Sequence, residues 1–177
     1  SRRLGMSRST SSSLVQELLD YELVREDGPA ASTSGRRAIT LRPNNRTWFV
    51  LGVDIGASHV STLLMSLSGE VVSTRRERVD ARSKPELALD AVCGQAQDMM
   101  MASRLTARQI LGMGVAIPAP VEHAANSRIC EETMAAWAGL DVEKSLGKRL
   151  GIRCIIDNDA NLGALAEHWW GVGRQVR

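Results

Sequence analysis

Cysteine is scarce in this chain of 177 residues. There are three, Cys93, Cys130 and Cys154, far apart and odd in number. That argues against a disulfide scaffold and for a reducing, cytoplasmic setting. No apolar run approaches the roughly 18 residues that a membrane-spanning helix needs, which excludes a span. The first 25 residues are rich in Ser and Arg and lack the continuous apolar core of a secretory leader. His59, His123 and His168 have no metal-ligand spacing with one another or with the cysteines, so no metal site is read within the chain. Internal repeats and long low-complexity tracts are also missing.

What is present is ordinary for a soluble globular protein: 44% hydrophobic and 24% charged residues. The length suits one domain with a small appendage, with enough chain to bury a core unaided. The net charge of +2 is unevenly spread. Residues 1–46 hold eight arginines against five acids, and the remainder is close to neutral. A small basic head on a neutral body suggests a nucleic-acid contact at one end.

The head has its own pattern. Leu4-Gly-Met6 supplies a turn, and Ser7 is a good N-cap for a helix over residues 8–20. Leu14, Val15, Leu18 and Leu19 form its apolar stripe. A short strand from Leu23, a flexible loop over residues 28–35 and a strand over residues 36–42 follow. Helix, turn, helix and two-stranded wing make a winged helix-turn-helix pattern, and residues 43–46 read as a linker. The body opens with a nearly unbroken apolar strand over residues 48–54, which suits a sheet covered on both faces. Residues 60–67 and 71–79 complete a three-strand meander around a Ser68-Gly69 turn. Helices are expected from Pro85 to Met101, over 141–150 and over 160–170, with apolar strands at 110–117 and 152–156. Strands and helices alternate after the meander, so the body is α/β.

Four segments carry chemistry. Met6-Ser-Arg-Ser-Thr-Ser-Ser-Ser13 places Ser7, Arg8, Ser9, Thr10, Ser12 and Ser13 at a helix start. A recognition helix presents such residues to the major groove, and a helix N-terminus attracts phosphate. Arg36 and Arg37 at the wing base are candidates for phosphate or minor-groove contact. A solvated Ser-rich cap is the plainer alternative. Asp54-Ile-Gly-Ala-Ser-His59 lies at a strand end. Asp54, Gly56 and Ser58 supply the carboxylate, close-approach glycine and hydroxyl of a phosphate- or metal-handling loop, though an ordinary β-turn uses the same residues. Asp157-Asn-Asp-Ala-Asn161 runs from a strand into a helix. Asp159 sits where an N-cap would. It can also accept a proton from a hydroxyl, while Asn158 hydrogen-bonds a polyol. A calcium loop starting at Asp157 fails, because Leu162 holds the sixth position and His168 the twelfth. Finally, Pro118-Ala-Pro120 ends an apolar strand with a rigid loop or a stiff connector. Trp137, Trp169 and Trp170 read as core or interface residues.

In this order, these segments resemble the ROK family of bacterial repressors and sugar kinases. Leu4-Gly-Met-Ser-Arg-Ser-Thr10 is similar to the family's helix-turn-helix, Ser34-Gly-Arg-Arg37 to its wing, and Gly52-Val-Asp-Ile-Gly56 to its first phosphate motif. Pro118-Ala-Pro-Val121, Trp137 and Asp157-Asn-Asp-Ala-Asn161 are similar to its sugar-side motifs. The resemblance implies a winged helix-turn-helix domain in residues 1–46. It implies the first lobe of an actin/hexokinase-like (ribonuclease H-like) ATPase fold in residues 47–177. It implies operator DNA and a sugar or sugar phosphate as partners, Asn158 and Asp159 as sugar ligands, and a homodimer or higher homo-oligomer on a two-fold operator. It further implies a second lobe and a zinc cluster beyond Arg177, so the chain is expected to be an internal piece of a longer protein.

Departures from the pattern separate the family's two classes. Ala57-Ser-His59 stands where kinases carry Gly-Thr-Lys, which loses a glycine and a cation of the phosphate loop. Pro118-Ala-Pro120 replaces Pro-Gly-Pro, and Thr133 replaces an asparagine before Trp137. Ser9 and Ser11 replace a Pro and a Val in the DNA-reading helix. The leading expectation is a sugar-responsive repressor of carbohydrate-metabolism genes. The alternative is an ATP- and Mg²⁺-dependent sugar kinase with Asp159 as general base. A protein-interaction module with neither activity is a third class.

Overall fold

A computed structural model describes residues 5–29, 39–122, 128–130 and 132–175. Near the start, helix α1 (Arg8–Asp20) is capped by Ser7, whose hydroxyl accepts the Thr10 amide proton at 3.1 Å. Strands β1 (Val24–Pro29) and β2 (Ile39–Pro43) pair antiparallel beside it. α1 buries none of its residues, and Leu14 and Leu18 of its apolar stripe stand exposed. The full winged-helix arrangement is not shown. The turn at Leu4 and the loop carrying Arg36 and Arg37 lie outside the described residues, as does His123.

The body is built on a mixed five-stranded sheet. It contains β3 (Phe49–Gly56), β4 (His59–Ser66) and β5 (Val71–Arg78), the expected antiparallel meander. Helix α2 (Pro85–Ala102) then crosses over to β6 (Ile110–Ile117), parallel to β3. A small hairpin of β7 (Val121–Glu122) and β8 (Arg128–Ile129) follows, unforeseen because strands of two residues carry no periodicity. Helix α3 (Val142–Leu150) leads to β9 (Cys154–Asn158), parallel to β6, and helix α4 (Asp159–Trp169) leaves its end. The strand order is β5-β4-β3-β6-β9.

The helix ends follow local chemistry. Pro85 occupies the first turn of α2, where its missing N–H costs nothing. Asp141 caps α3 by accepting from the Lys144 amide at 2.9 Å, and Gly151 ends it at φ +68, a conformation natural to glycine.

The core lies between one face of the sheet and helices α2 and α3. Leu51, Val53, Ile55, Val60, Leu64, Met113, Val115 and Ile117 alternate into it from the strands. Ala88, Leu89, Val92, Ala96 and Met99 meet them from α2. Trp137 is fully buried, and its indole N–H donates to the Ala81 carbonyl at 2.8 Å. Trp169 and Trp170, by contrast, are exposed and meet edge to face.

The apolar run of β3 led us to expect cover on both faces, and the structure corrects this. Val50, Gly52 and Asp54 alternate onto a second face that stays partly or fully exposed. Ile155 and Leu111 stand exposed on the neighbouring strands. β3 also starts one residue later than expected. Trp48 lies outside the strand and donates its indole N–H to the Tyr21 carbonyl at 2.7 Å.

Candidate functional site: a crevice at the strand ends and a polar helix start

Parallel strands bring separate motifs to one end of a sheet, where ligands of α/β proteins gather. The register aligns Asp54 of β3, Ala116 of β6 and Asp157 of β9 in a single row. The Asp54 loop and the Asp157–Asn161 run, a hundred residues apart, therefore share one crevice.

On the β9 side, Asn158 is the N-cap of α4, not Asp159 as the residue pattern suggested. The Asn158 side-chain oxygen accepts from the amides of Ala160 at 3.0 Å and Asn161 at 3.2 Å. Its side-chain nitrogen donates to the Ala119 carbonyl and to Asp159 Oδ1, both at 3.1 Å. Two lone pairs and two protons are thus all engaged. Asn158 ties the Pro118-Ala-Pro120 loop to the start of α4 and fixes the Asp159 carboxylate. Asp159 Oδ1 also accepts from the Ala160 amide at 2.8 Å. The second oxygen has no hydrogen-bond partner among the described residues, and the side chain is exposed. Held this way at a helix N-terminus, the carboxylate presents one free oxygen to a hydroxyl. Asp157 accepts from the Asn158 amide and from Asn161 Nδ2 at 3.1 Å, which stiffens the run.

The β3 side differs from an open phosphate loop. His59 Nε2 lies 2.9 Å from Asp54 Oδ2. The imidazole also covers Gly56, where a built Cβ would fall 2.2 Å from His59 Cε1. The glycine leaves room for close approach, and the chain's own His59 takes it. Ser58 is exposed at the turn, which is pinned to the segment after β5. The Val79 amide donates to the Ser58 carbonyl at 3.2 Å, and the Arg82 amide to Ala57 at 3.1 Å. This arrangement does not fit a nucleotide triphosphate with Mg²⁺, because the carboxylate and the glycine are both occupied by His59. Among the described residues, no group of three or more His, Cys, Asp or Glu side chains is placed to hold a metal ion.

A cavity of about 630 Å³ runs from the crevice across the second face of the sheet to α4. Gly52, Asp54, Ser61, Arg76, Gly114 and Leu162 line it. That volume is in the range of small-molecule sites. Sequence reading missed His59 as the occupant of the loop and the arginines of β5. Their proximity depends on strand register, which residue spacing along the chain does not display.

The second candidate surface is the start of α1. Ser7 Oγ lies 2.9 Å from Ser9 Oγ and 2.8 Å from Thr10 Oγ1, so three of the candidate DNA contacts form one local network. Arg8, Ser12 and Ser13 are exposed. No acid occupies the first turn, which leaves the positive end of the helix dipole unopposed. Arg25 and Arg42 are paired with Asp27 and so are less available to a polyanion.

An α/β lobe with a mixed sheet of this kind is similar in fold to solved sugar kinases and to a class of transcriptional regulators. The model of the ROK family matches residues 50–177, and the chain belongs to that family. The xylose repressor of Bacillus spizizenii is 25% identical over 98% of this chain and 44% of its own length. The chain therefore spans less than half of that relative. A solved ROK family transcriptional regulator, described as a homologue of the Escherichia coli MLC protein, superposes over 96% of this chain and 42% of its own, with TM-score 0.73 and 20% identity. A ROK family glucokinase of Streptomyces griseus, solved with glucose and AMPPNP, covers 72% of this chain and 38% of its own, with TM-score 0.59 and 20% identity. No helix among the described residues is long and apolar enough to cross a membrane.

Proposed function

We propose that the chain is part of a sugar-responsive, DNA-binding transcriptional regulator, a repressor of carbohydrate-metabolism genes working in the cytoplasm. The observation that carries this reading is the extent of the likeness. The repressor relative aligns with the head as well as the lobe, whereas the glucokinase matches about the length of the lobe alone. The His59-filled loop supports it from the chemical side. In this reading, residues 1–46 form the DNA-binding domain and residues 47–177 the first lobe of an actin/hexokinase-like sugar-binding body. Arg8, Ser12 and Ser13 meet base edges or phosphates, with Arg36 and Arg37 in the wing. Asp159 accepts a sugar hydroxyl, oriented by Asn158. Effector binding shifts operator affinity by favouring one arrangement of the lobes over another. A two-fold operator calls for a homodimer.

A gel-shift assay on operator DNA tests this. Arg8→Ala and Arg36→Ala each weaken binding by about tenfold, as expected for the loss of a charged base or phosphate contact. Unchanged affinity for both overturns the assignment. The second reading, a sugar kinase, is favoured by one observation only, the free oxygen of Asp159. A coupled assay of ADP release with a panel of hexoses decides it. Turnover abolished by Asp159→Asn would establish the kinase, and no turnover leaves the regulator.

A further inference from the structure

The register of β4 and β5 sets His59 opposite Arg78 and Ser61 opposite Arg76. Directly opposed residues share a face of the sheet, so all four stand on the face that α2 does not cover. Ser58, His59, Arg76 and Arg78 line a pocket of about 400 Å³ at the edge of the sheet. It meets the larger cavity at Arg76, which lines both. The backbone bond from Val79 to Ser58 holds the turn against the end of β5.

Charge in this pocket is unspent. Arg25, Arg42 and Arg149 have carboxylate partners, but Arg76 and Arg78 have none among the described residues. Asp54, the carboxylate in the same row, is engaged by His59. Glu77 lies opposite Val60 and alternates to the other face. The Ser61 hydroxyl, between Asp54 and Arg76 in the row, is buried and has no hydrogen-bond partner among the described residues.

We propose that this pocket binds the phosphate of a phosphate monoester, with the rest of the molecule lying along the larger cavity toward Leu162 and Ala166. Two guanidiniums and the Ser58 hydroxyl match a phosphate dianion, for which arginine is well suited. The site takes Ser58 and His59 from the loop, on the side away from Asp54, and its cations come from a neighbouring strand. The inference rests on the regulator reading and narrows its effector to a phosphorylated compound. A charged edge strand also guards a sheet against edge-to-edge pairing. That role needs no concave convergence with Ser58 and His59, and the experiment separates the two.

Titration calorimetry with inorganic phosphate, at constant ionic strength set by chloride, is the test. Saturable binding is expected. Arg76→Gln and Arg78→Gln each weaken it about tenfold, their combination abolishes it, and Arg76→Lys restores part of it. Arg108→Gln, at an exposed position just before β6 and lining neither cavity, leaves it unchanged. Phosphorus NMR line broadening on the unsubstituted protein gives a readout independent of any variant's folding. Absence of saturable binding, or binding untouched by the double substitution, overturns the inference and leaves the arginines as edge protection. If phosphate fails to bind while Arg8→Ala still weakens operator binding, this inference alone falls. If both fail, the regulator reading falls with it.

Discussion

The two faces of the five-stranded sheet are built from alternate residues of the same strands, yet they are different surfaces. One carries Leu51, Val53, Ile55, Val115 and Ile117 into the core and is nearly dry. The other carries Gly52, Asp54, His59, Ser61 and Gly114, with arginines at its edge, and it borders the cavities. The dry face holds the fold together. The open face spends little on stability and keeps unpaired charge and room for a ligand. A strand of period two can serve both ends at once, because a change at one residue leaves its neighbour's face untouched.

The comparison is broken most severely at Trp137. Trp137→Ala should cost about 3–5 kcal/mol, from lost packing and an unpaired Ala81 carbonyl, read as a lower urea midpoint. A cost below 1 kcal/mol would mean the dry face is not where the stability resides. Gly56→Ala comes next, at about 1–2 kcal/mol, because the new methyl displaces the imidazole from Asp54. His59→Ala should relieve most of that cost in a double-mutant cycle, and additive effects would show that the ring does not fill the loop.

Third is a dependence on alkaline pH. Burial, with Glu143 and Asp141 adding to it, pushes the Cys154 thiol up to about 12. Because the folded value is raised, its stabilising contribution is complete below the unfolded value near 9 and is lost as pH rises toward 12. Within that window the folded-to-unfolded ratio should fall about tenfold per pH unit from this group, and Cys154→Ala should remove that slope. A matching difference is expected in alkylation of the native protein. Cys130 reacts first, while Cys93 and Cys154 are buried and slow. The smallest effect belongs to the open face. Ile155→Thr, at an exposed position on β9, should shift stability by no more than about 0.5 kcal/mol in the same urea titration.

Much of the lobe was legible because its elements are long and periodic. The meander, α2 and the apolar strand at 110–117 announce themselves through period, Pro85 and bounding glycines. The crevice was legible only in part. Asp54 and Asp159 stand out as carboxylates at strand ends. Which asparagine or aspartate caps α4 depends on one residue of backbone geometry, and both types cap equally well. Double cover of β3 was a reasonable inference from an apolar run. It failed because glycine and valine read as buried while leaving space above them. Arg76 and Arg78 look like a charged edge until pairing sets them beside Ser58.

The bond from Trp48 to the Tyr21 carbonyl has a mechanical consequence. Tyr21 is the C-cap of α1, and Phe49, the next residue after Trp48, starts β3. The eight residues of β3 span about 26 Å at roughly 3.3 Å each and end at the Asp54–Gly56 loop. Within the head, the Asn44 amide donates to the Leu23 carbonyl at 3.0 Å, which closes the segment after β2 onto the end of the α1 turn. One continuous strand therefore separates the end of α1 from the Asp54–Gly56 loop, and β4 and β6 hold that strand on both sides along its length.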